Sequence, residues 1–362
     1  MRNKLYGKIL SVLLIMSVCF VFSGCSSTLA KPLKNSNKPA IVCTAFPQYD
    51  WVLNILGEKS EDFDVILLNS QGTDMHSFQP TAANMVAVAN CDLFIYMGGY
   101  SETWVDATLK SAGNENALVL PLLEQVDKLE EAHVEGTLSA HLHESESEDE
   151  DEDADHHDHD HEHEDEELSY EELHEGHNHA PGEEVYDEHL WLSLRCSMQA
   201  CESIFEMICQ LDPDNSYIYE ENLKNYTEQL HMLDMEYEET VQNASVSTLL
   251  FADRFPFLYM MTDYDLEYFA AFSGCSAETE ASFETIVSLS EIAEEHDLPA
   301  IIVLEGSDHK LAETIIGNTA KSDTPILTLN SMQSVREKDI DAGTTYLSIM
   351  EENLQVLKQA LN

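Results

Sequence analysis

The sequence predicts an α/β protein of two lobes, each a mainly parallel sheet flanked by helices, joined by one long interlobe helix. Three observations carry this expectation. From residue 40, short apolar runs alternate with stretches of helical periodicity, the pattern of strand–helix–strand units. The same alternation restarts near residue 248. Between the two sets, Tyr219, Leu223, Tyr226, Leu230, Leu233, Tyr237 and Val241 are spaced 4-3-4-3-4-4, an unbroken helical stripe. A chain of 362 residues has room for two such lobes.

The first element is an export signal at residues 1–24. Arg2, Lys4 and Lys8 precede an apolar run over 9–22, which ends at Ser23-Gly24-Cys25. That run is shorter than the roughly 20 apolar residues of a spanning helix. Small residues before a cysteine resemble a bacterial lipobox, in which Cys25 carries lipid and becomes the mature N-terminus. A plain cleaved signal or an uncleaved anchor is the alternative. Residues 25–39, rich in Ser, Thr, Lys, Asn and Pro, read as a flexible tether.

In the first lobe (40–188), strands are expected at 41–46, 65–68, 93–97 and 117–120, with helices at 49–56, 80–90 and 102–110. Pro80 suits a first helical turn. The stretch 129–188 has no hydrophobic periodicity, and 145–167 is nearly all Glu, Asp and His. Such a segment buries too little apolar surface to offset its ordering entropy, so a disordered loop is expected at about 130–185. Interlobe helices fill 189–243. Leu190, Leu194, Cys201, Ile204, Ile208 and Leu211 mark one, and Asp212-Pro213 opens a second that runs to Gln242. In the second lobe (244–362), strands are expected at 248–252, 267–272, 300–304 and 326–329, and helices at 282–296, 308–320 and 344–361.

Charge narrows the partners. Asp and Glu number 69 against 17 Lys and Arg, a net charge of −52, which repels phosphate backbones and excludes a nucleic-acid partner. Residues 130–188 hold 26 of those acids, none of the bases and 11 of the 16 histidines, so half of the net charge belongs to one segment. His156, His157, His159, His161, His163, His174, His177 and His179 alternate there with carboxylates. Donors on such a chain can wrap a cation in many equivalent ways, giving several weak sites, and the dense negative charge concentrates cations nearby. A solvated spacer is the alternative. Cys43, Cys91, Cys196, Cys201, Cys209 and Cys275 show no CxxC spacing and read as buried free thiols, although export permits disulfides.

In parallel α/β sheets ligands bind beyond the carboxyl ends of the strands. His76 lies in the loop after the second strand, and His189 directly follows the acidic segment. In the second lobe, Asp253-Arg254 follows strand 248–252 and Glu305 follows strand 300–304. Taken singly, each histidine reads as a surface residue, Glu305 as a helix-cap partner and Asp253 as an ion-pair partner of Arg254. Their shared position at strand ends joins them into a set of imidazoles and carboxylates suited to zinc or manganese. His231, His296 and His309 read as solvated.

At these residues the chain resembles the zinc/manganese-specific solute-binding lipoproteins of bacterial ABC importers, over nearly all of its mature length. The family motif Gly-x-Asp-Pro-His-x-(aromatic)-x-Pro is similar to Gly72-Thr73-Asp74-Met75-His76-Ser77-Phe78-Gln79-Pro80, with Met75 in the proline's place. The motif Asp-Pro-His-x-Trp-Leu is similar to Asp187-Glu188-His189-Leu190-Trp191-Leu192. Zinc-type members often carry an acidic His-rich insertion between the two, as here. The resemblance implies His76, His189 and Glu305 as metal ligands, and Zn2+ (alternatively Mn2+) as the transported ion. It implies an importer permease and its ATPase as partners, a lipid anchor on the outer face of the cytoplasmic membrane, and a monomer.

One position departs. Where zinc-type members place a third histidine before an aromatic pair, here Phe255 and Phe257, this chain has Ala252 followed by Asp253. Asp253, a water or a loop histidine then competes for that position. The imidazole-rich loop favours zinc, and a two-His, two-carboxylate set lies closer to manganese.

A secreted metallohydrolase or a metal-storing surface protein is the competing class. The chain has neither His-Glu-x-x-His nor Gly-x-Ser-x-Gly, and nothing in it is marked out as a general base. If the acidic segment gathers zinc, deleting 145–179 should reduce zinc uptake under scarcity and leave it unchanged in excess. Unchanged uptake at every zinc level would reduce the segment to a spacer.

Overall fold

The computed structural model describes residues 38–114, 116–131, 185–272, 274 and 281–362. The signal, Cys25, the eight loop histidines and Cys275 lie outside the described residues. Among those described, no helix is long and apolar enough to cross a membrane.

The first lobe runs β1 (Ala40–Cys43), α1 (Phe46–Leu56), β2 (Asp64–Leu67), α2 (Ala82–Ala89), β3 (Leu93–Tyr96), α3 (Trp104–Ala112) and β4 (Leu118–Pro121). Helices α4 (Leu194–Leu211) and α5 (Ser216–Gln242) follow. The second lobe holds β5 (Thr248–Phe251), α6 (Leu258–Asp263), β6 (Glu267–Ala270), α7 (Phe283–Glu295), β7 (Ile301–Leu304), α8 (Lys310–Gly317), β8 (Ile326–Leu329), α9 (Glu337–Asp341) and α10 (Tyr346–Ala360). Both sheets are parallel and share one order, β2-β1-β3-β4 and β6-β5-β7-β8. The two-lobed α/β class read from the sequence is the class observed.

Winding reverses between β1 and β3 and again between β5 and β7, so each lobe opens a crevice there at its strand ends. Alternate strand residues face opposite layers. Ile41 and Cys43 of β1 and Ile302 and Leu304 of β7 join one central core, which also takes in α4, α5 and α10. Ala40 and Val42 pack outward with residues of α2 and α3, and Ile301 and Val303 with residues of α7 and α8. The two sheets therefore share a core rather than owning one each.

Helix α5 spans about 40 Å at 1.5 Å per residue. Its stripe buries Tyr219, Tyr226, Leu230, Leu233 and Tyr237. The tyrosine hydroxyls fasten it: Tyr237 donates to the Met350 carbonyl at 2.6 Å and Tyr226 to Asp50 Oδ2 at 3.4 Å. Asp50 also accepts from Asn54 and from the Tyr346 backbone N–H, so one buried carboxylate links α1, α5 and α10.

Several boundaries moved, each for a local reason. Strand 41–46 ends early: the Thr44 N–H is shared between the Ile95 carbonyl of β3 and Gln48 Oε1, the Ala45 N–H turns to Gln48 Oε1, and α1 starts at Phe46. The helix expected at 80–90 begins at Ala82: Thr81 and Asn84 form a reciprocal capping box that leaves Pro80 outside. Asp212 does not cap the long helix. Its Oδ2 accepts from Asn215 Nδ2 and Tyr219 OH, residues 213–215 form a 3-10 turn, and α5 starts at Ser216. The loop expected from 129 is ordered at both roots. Glu131 N–H donates to Val185 O and Asp187 N–H to Leu129 O, an antiparallel neck that Tyr259 clamps by accepting from Leu129 N–H and donating to Asp187 O. Cys43, Cys91, Cys196, Cys201 and Cys209 are free thiols, as expected, with the first two and Cys201 buried.

Burial pushes the Asp50 carboxyl up to about 6, against the hydrogen bonds that favour its charged form. The folded chain then binds a proton that the unfolded chain has released, so this group's contribution falls as pH rises from about 4 through about 6. Asp50→Asn removes the titration. Relative to wild type, the variant should gain about 2 kcal/mol of unfolding free energy between pH 4.5 and 7.5, read by urea denaturation. A difference independent of pH would show that Asp50 does not titrate in this window.

Candidate metal centre

His76 sits in a loop made rigid by its own side chains. Asn69 brackets Thr73, accepting from its N–H at 3.2 Å and donating to its carbonyl at 2.5 Å. Gly72, at φ +70°, lies where a Cβ would strike Arg336 and the Ser334 carbonyl. Asp74 caps the 3-10 turn Met75–Ser77 by accepting from the His76 N–H at 3.0 Å. Its other oxygen pairs with Arg254 of the second lobe at 2.9 Å.

His189 is held likewise by the residue two before it. Asp187 Oδ1 accepts from the His189 backbone N–H at 2.7 Å and from Nδ1 at 3.0 Å. The next turn, Leu190–Leu192, is buried, and Trp191 Nε1 donates to the Ser331 carbonyl of the second lobe at 2.8 Å.

The two rings meet across 113 residues of sequence, with Nε2 of His76 and Nε2 of His189 3.3 Å apart. His76 Nδ1 faces Ser101 Oγ at 2.5 Å and Glu188 Oε1 at 3.1 Å. A carboxylate accepts only, so each Nδ1 carries a proton, and the Nε2 pair is left to share one proton as an N–H···N bond or to bind a metal cation with both lone pairs. Nitrogens bound at 2.0–2.1 Å around a tetrahedral metal stand about 3.3 Å apart, which is the spacing found. His189 is buried and His76 about one-fifth exposed, so one side of the pair opens outward.

The second-lobe carboxylates stand at the crevice between β5 and β7. Glu305 accepts from Ser331 N–H at 2.8 Å and from its hydroxyl at 2.7 Å. Burial pushes its carboxyl up, against those two bonds, and Asp74 adds to the rise. Asp253 gives Oδ1 to the Arg254 N–H and Oδ2 to the Leu304 N–H, tying the end of β5 to β7. Among the described residues, no three His, Cys, Asp or Glu side chains gather closely enough to hold a metal ion. The structure thus brings His76 and His189 together and leaves Glu305 and Asp253 engaged with their own lobe. Of the other histidines, His231 is exposed, and His296 and His309 are half-buried.

Sequence reasoning did not single out Glu188 or Ser101. Glu188 is buried, and its carboxylate accepts from the Ser101 N–H at 3.1 Å and from its hydroxyl. Burial pushes it up, but the hydrogen bonds from His76 and Ser101 help to outweigh this and hold it below the usual range. An acid immediately before a histidine was visible in the sequence, whereas Ser101 carried no signal. Glu102, buried beside it, accepts from the Gly98 N–H at 2.8 Å and steadies the same loop.

The family model ZnuA, described as zinc-uptake complex component A, periplasmic, matches residues 41–360. The chain is similar to a high-affinity zinc uptake system protein ZnuA of Bacillus subtilis, 29% identical over 97% of each chain. It is also similar to the zinc-binding lipoprotein AdcA of Streptococcus pneumoniae, 28% identical over 96% of this chain, where it spans only 60% of that longer protein. Among solved structures, the Zn(II)-bound ZnuA-like domain of that pneumococcal AdcA superposes with a TM-score of 0.63 at 25% identity, covering 90% of this chain and 99% of that one.

Gly99 sits at φ 87°, ψ −168°, a region essentially closed to other residues, and a Cβ there would lie 2.5 Å from Glu188 Oε2. Gly99→Ala should cost about 1–3 kcal/mol of stability, read from the urea midpoint. An unshifted midpoint would mean that this loop yields without strain.

Proposed function

This chain belongs to the ZnuA family of periplasmic zinc-uptake components, and from that premise we propose that it captures a zinc ion between its lobes and delivers it to an ABC importer. The observation that carries the reading is the facing Nε2 pair at 3.3 Å, with both Nδ1 atoms turned to carboxylates. That arrangement fits a metal with a preference for imidazole nitrogen, which favours zinc over manganese.

Glu305 supplies the anionic donor from the second lobe. Asp253 is the weaker choice for the remaining position, since both of its oxygens already accept backbone N–H bonds. A water or a histidine of the acidic segment serves there instead. Binding and release, rather than a reaction, are what a solute-binding protein performs. The permease and ATPase of the importer are its partners, Cys25 carries the lipid that tethers it outside the cytoplasmic membrane, and it acts as a monomer. The segment between 131 and 185 gathers zinc beside the cleft. Its neck supports this, since Asp187, one root, is the partner of His189.

Metal titration of protein lacking residues 145–179 tests the ligand set. His76→Ala and His189→Ala should each weaken zinc by more than the 10–100-fold typical of outer groups, Glu305→Ala should weaken it clearly, and Asp253→Ala least. Tight one-to-one binding retained in all four variants would remove the site from this cleft. Manganese matching zinc in competition would reverse the choice of metal.

A further inference from the structure

Glu188 is spent on something other than charge for the cleft. It lies next to His189 in sequence, yet its carboxylate reaches away to the other ligand loop, touching His76 Nδ1 at 3.1 Å. Its two oxygens also accept the backbone N–H of Ser101 at 3.1 Å and the Ser101 hydroxyl. The hydroxyl proton is thereby committed to Glu188, so Ser101 Oγ faces His76 Nδ1 at 2.5 Å as an acceptor. Ser101 Oγ and Glu188 Oε1, which meet Nδ1 here, therefore both receive a proton, and the donor pattern starts at Glu188. Without that carboxylate, Ser101 is free to donate to Nδ1, and the opposite tautomer, with the proton on Nε2, becomes available. Nε2 then carries hydrogen in place of the lone pair a metal needs.

We infer that Glu188 is the positioning residue for His76: it fixes the Nδ1–H tautomer, directly and through Ser101, while its neighbour Asp187 does the same for His189. The adjacent pair Asp187-Glu188 thus aims both imidazoles, although the two rings stand on different loops. Glu188 approaches His76 at Nδ1 and not at Nε2, which sets it behind the ring rather than among the metal donors. Carboxylates behind both rings also raise their basicity. That strengthens two imidazoles where the sequence has Ala252 in place of a third. Gly99 belongs to the same device, because only a residue without Cβ lets Glu188 past the loop to reach Ser101.

The inference rests on the capture reading for its consequence but not for its geometry, and the two can be tested apart. In the full-length, metal-free protein, long-range 1H–15N correlation spectra should show His76 and His189 protonated at Nδ1. Glu188→Gln should give His76 a substantial Nε2–H population while leaving His189 unchanged, and should weaken zinc 10–100-fold in competition titrations. An unchanged His76 tautomer together with zinc affinity within threefold of wild type would overturn the inference. Ser101→Ala, which leaves the Glu188 contact in place, should keep the Nδ1–H form. If Ser101→Ala alone switches His76, the determinant is Ser101 and the assignment to Glu188 fails, whether or not Glu188→Gln folds. A tautomer switch with zinc affinity unmoved would uphold the positioning role and overturn the capture reading instead.

Discussion

Two imidazole nitrogens held 3.3 Å apart need a shared proton or a metal cation between them, and they keep that spacing because each ring is fastened from behind. Asp187 grips His189 at both backbone and ring, and Glu188 and Ser101 grip His76. The anchors are in turn fastened: Asp187 by Tyr259 and the antiparallel neck, the His76 loop by Asn69 and the Asp74 cap. On the proposed reading, a zinc ion entering between the rings finds both donors already aimed, which is what preorganisation means energetically.

The scaffold serves that constraint. Two sheets of the same order put their crevices at equivalent places, and the inner faces of both pack into one core. Polar bonds then cross from one lobe's ligand loops to the other. Trp191 reaches Ser331, whose own amide and hydroxyl are held by Glu305, and Arg254 reaches Asp74. A residue of the second lobe therefore steadies the turn carrying His189, and another steadies the cap of the turn carrying His76. Buried tyrosine hydroxyls fasten α5 likewise: Tyr226 and Tyr237 donate from it to Asp50 and the Met350 carbonyl, and Tyr264 donates to Asp234 on it.

The acidity also acquires a geometry. Half of the charge belongs to a segment whose two roots pair beside the cleft, one of them ending in the acids that orient the histidines. Electrostatic attraction of cations is long-ranged and unspecific, whereas selection between them is short-ranged and needs fixed donors. The proposed function divides these two tasks between the segment and the cleft.

By itself the sequence determined the fold class and most of the elements, and it singled out His76 and His189, which the structure brings together. Strand runs, the 4-3-4-3-4-4 stripe and polar residues at strand ends are local patterns, imposed by a backbone period that neighbouring residues must match. His76 and His189 were legible for that reason, and so were the shared strand order's ingredients. Helix starts were less so: Gln48 and Thr81 take backbone N–H groups while Asp212 takes side-chain donors instead, and spacing does not say which partner wins. Only the tertiary structure decided which ring nitrogen faces the cleft, that Glu188 serves the distant histidine rather than its neighbour, and that Asp253 spends its oxygens on Arg254 and Leu304. The decisive contacts among them join groups far apart in sequence, Asp253 with Leu304 across 51 residues and Glu188 with Ser101 across 87. A hydrogen bond between such groups is set by angstrom-scale packing, which leaves no period in the chain to read.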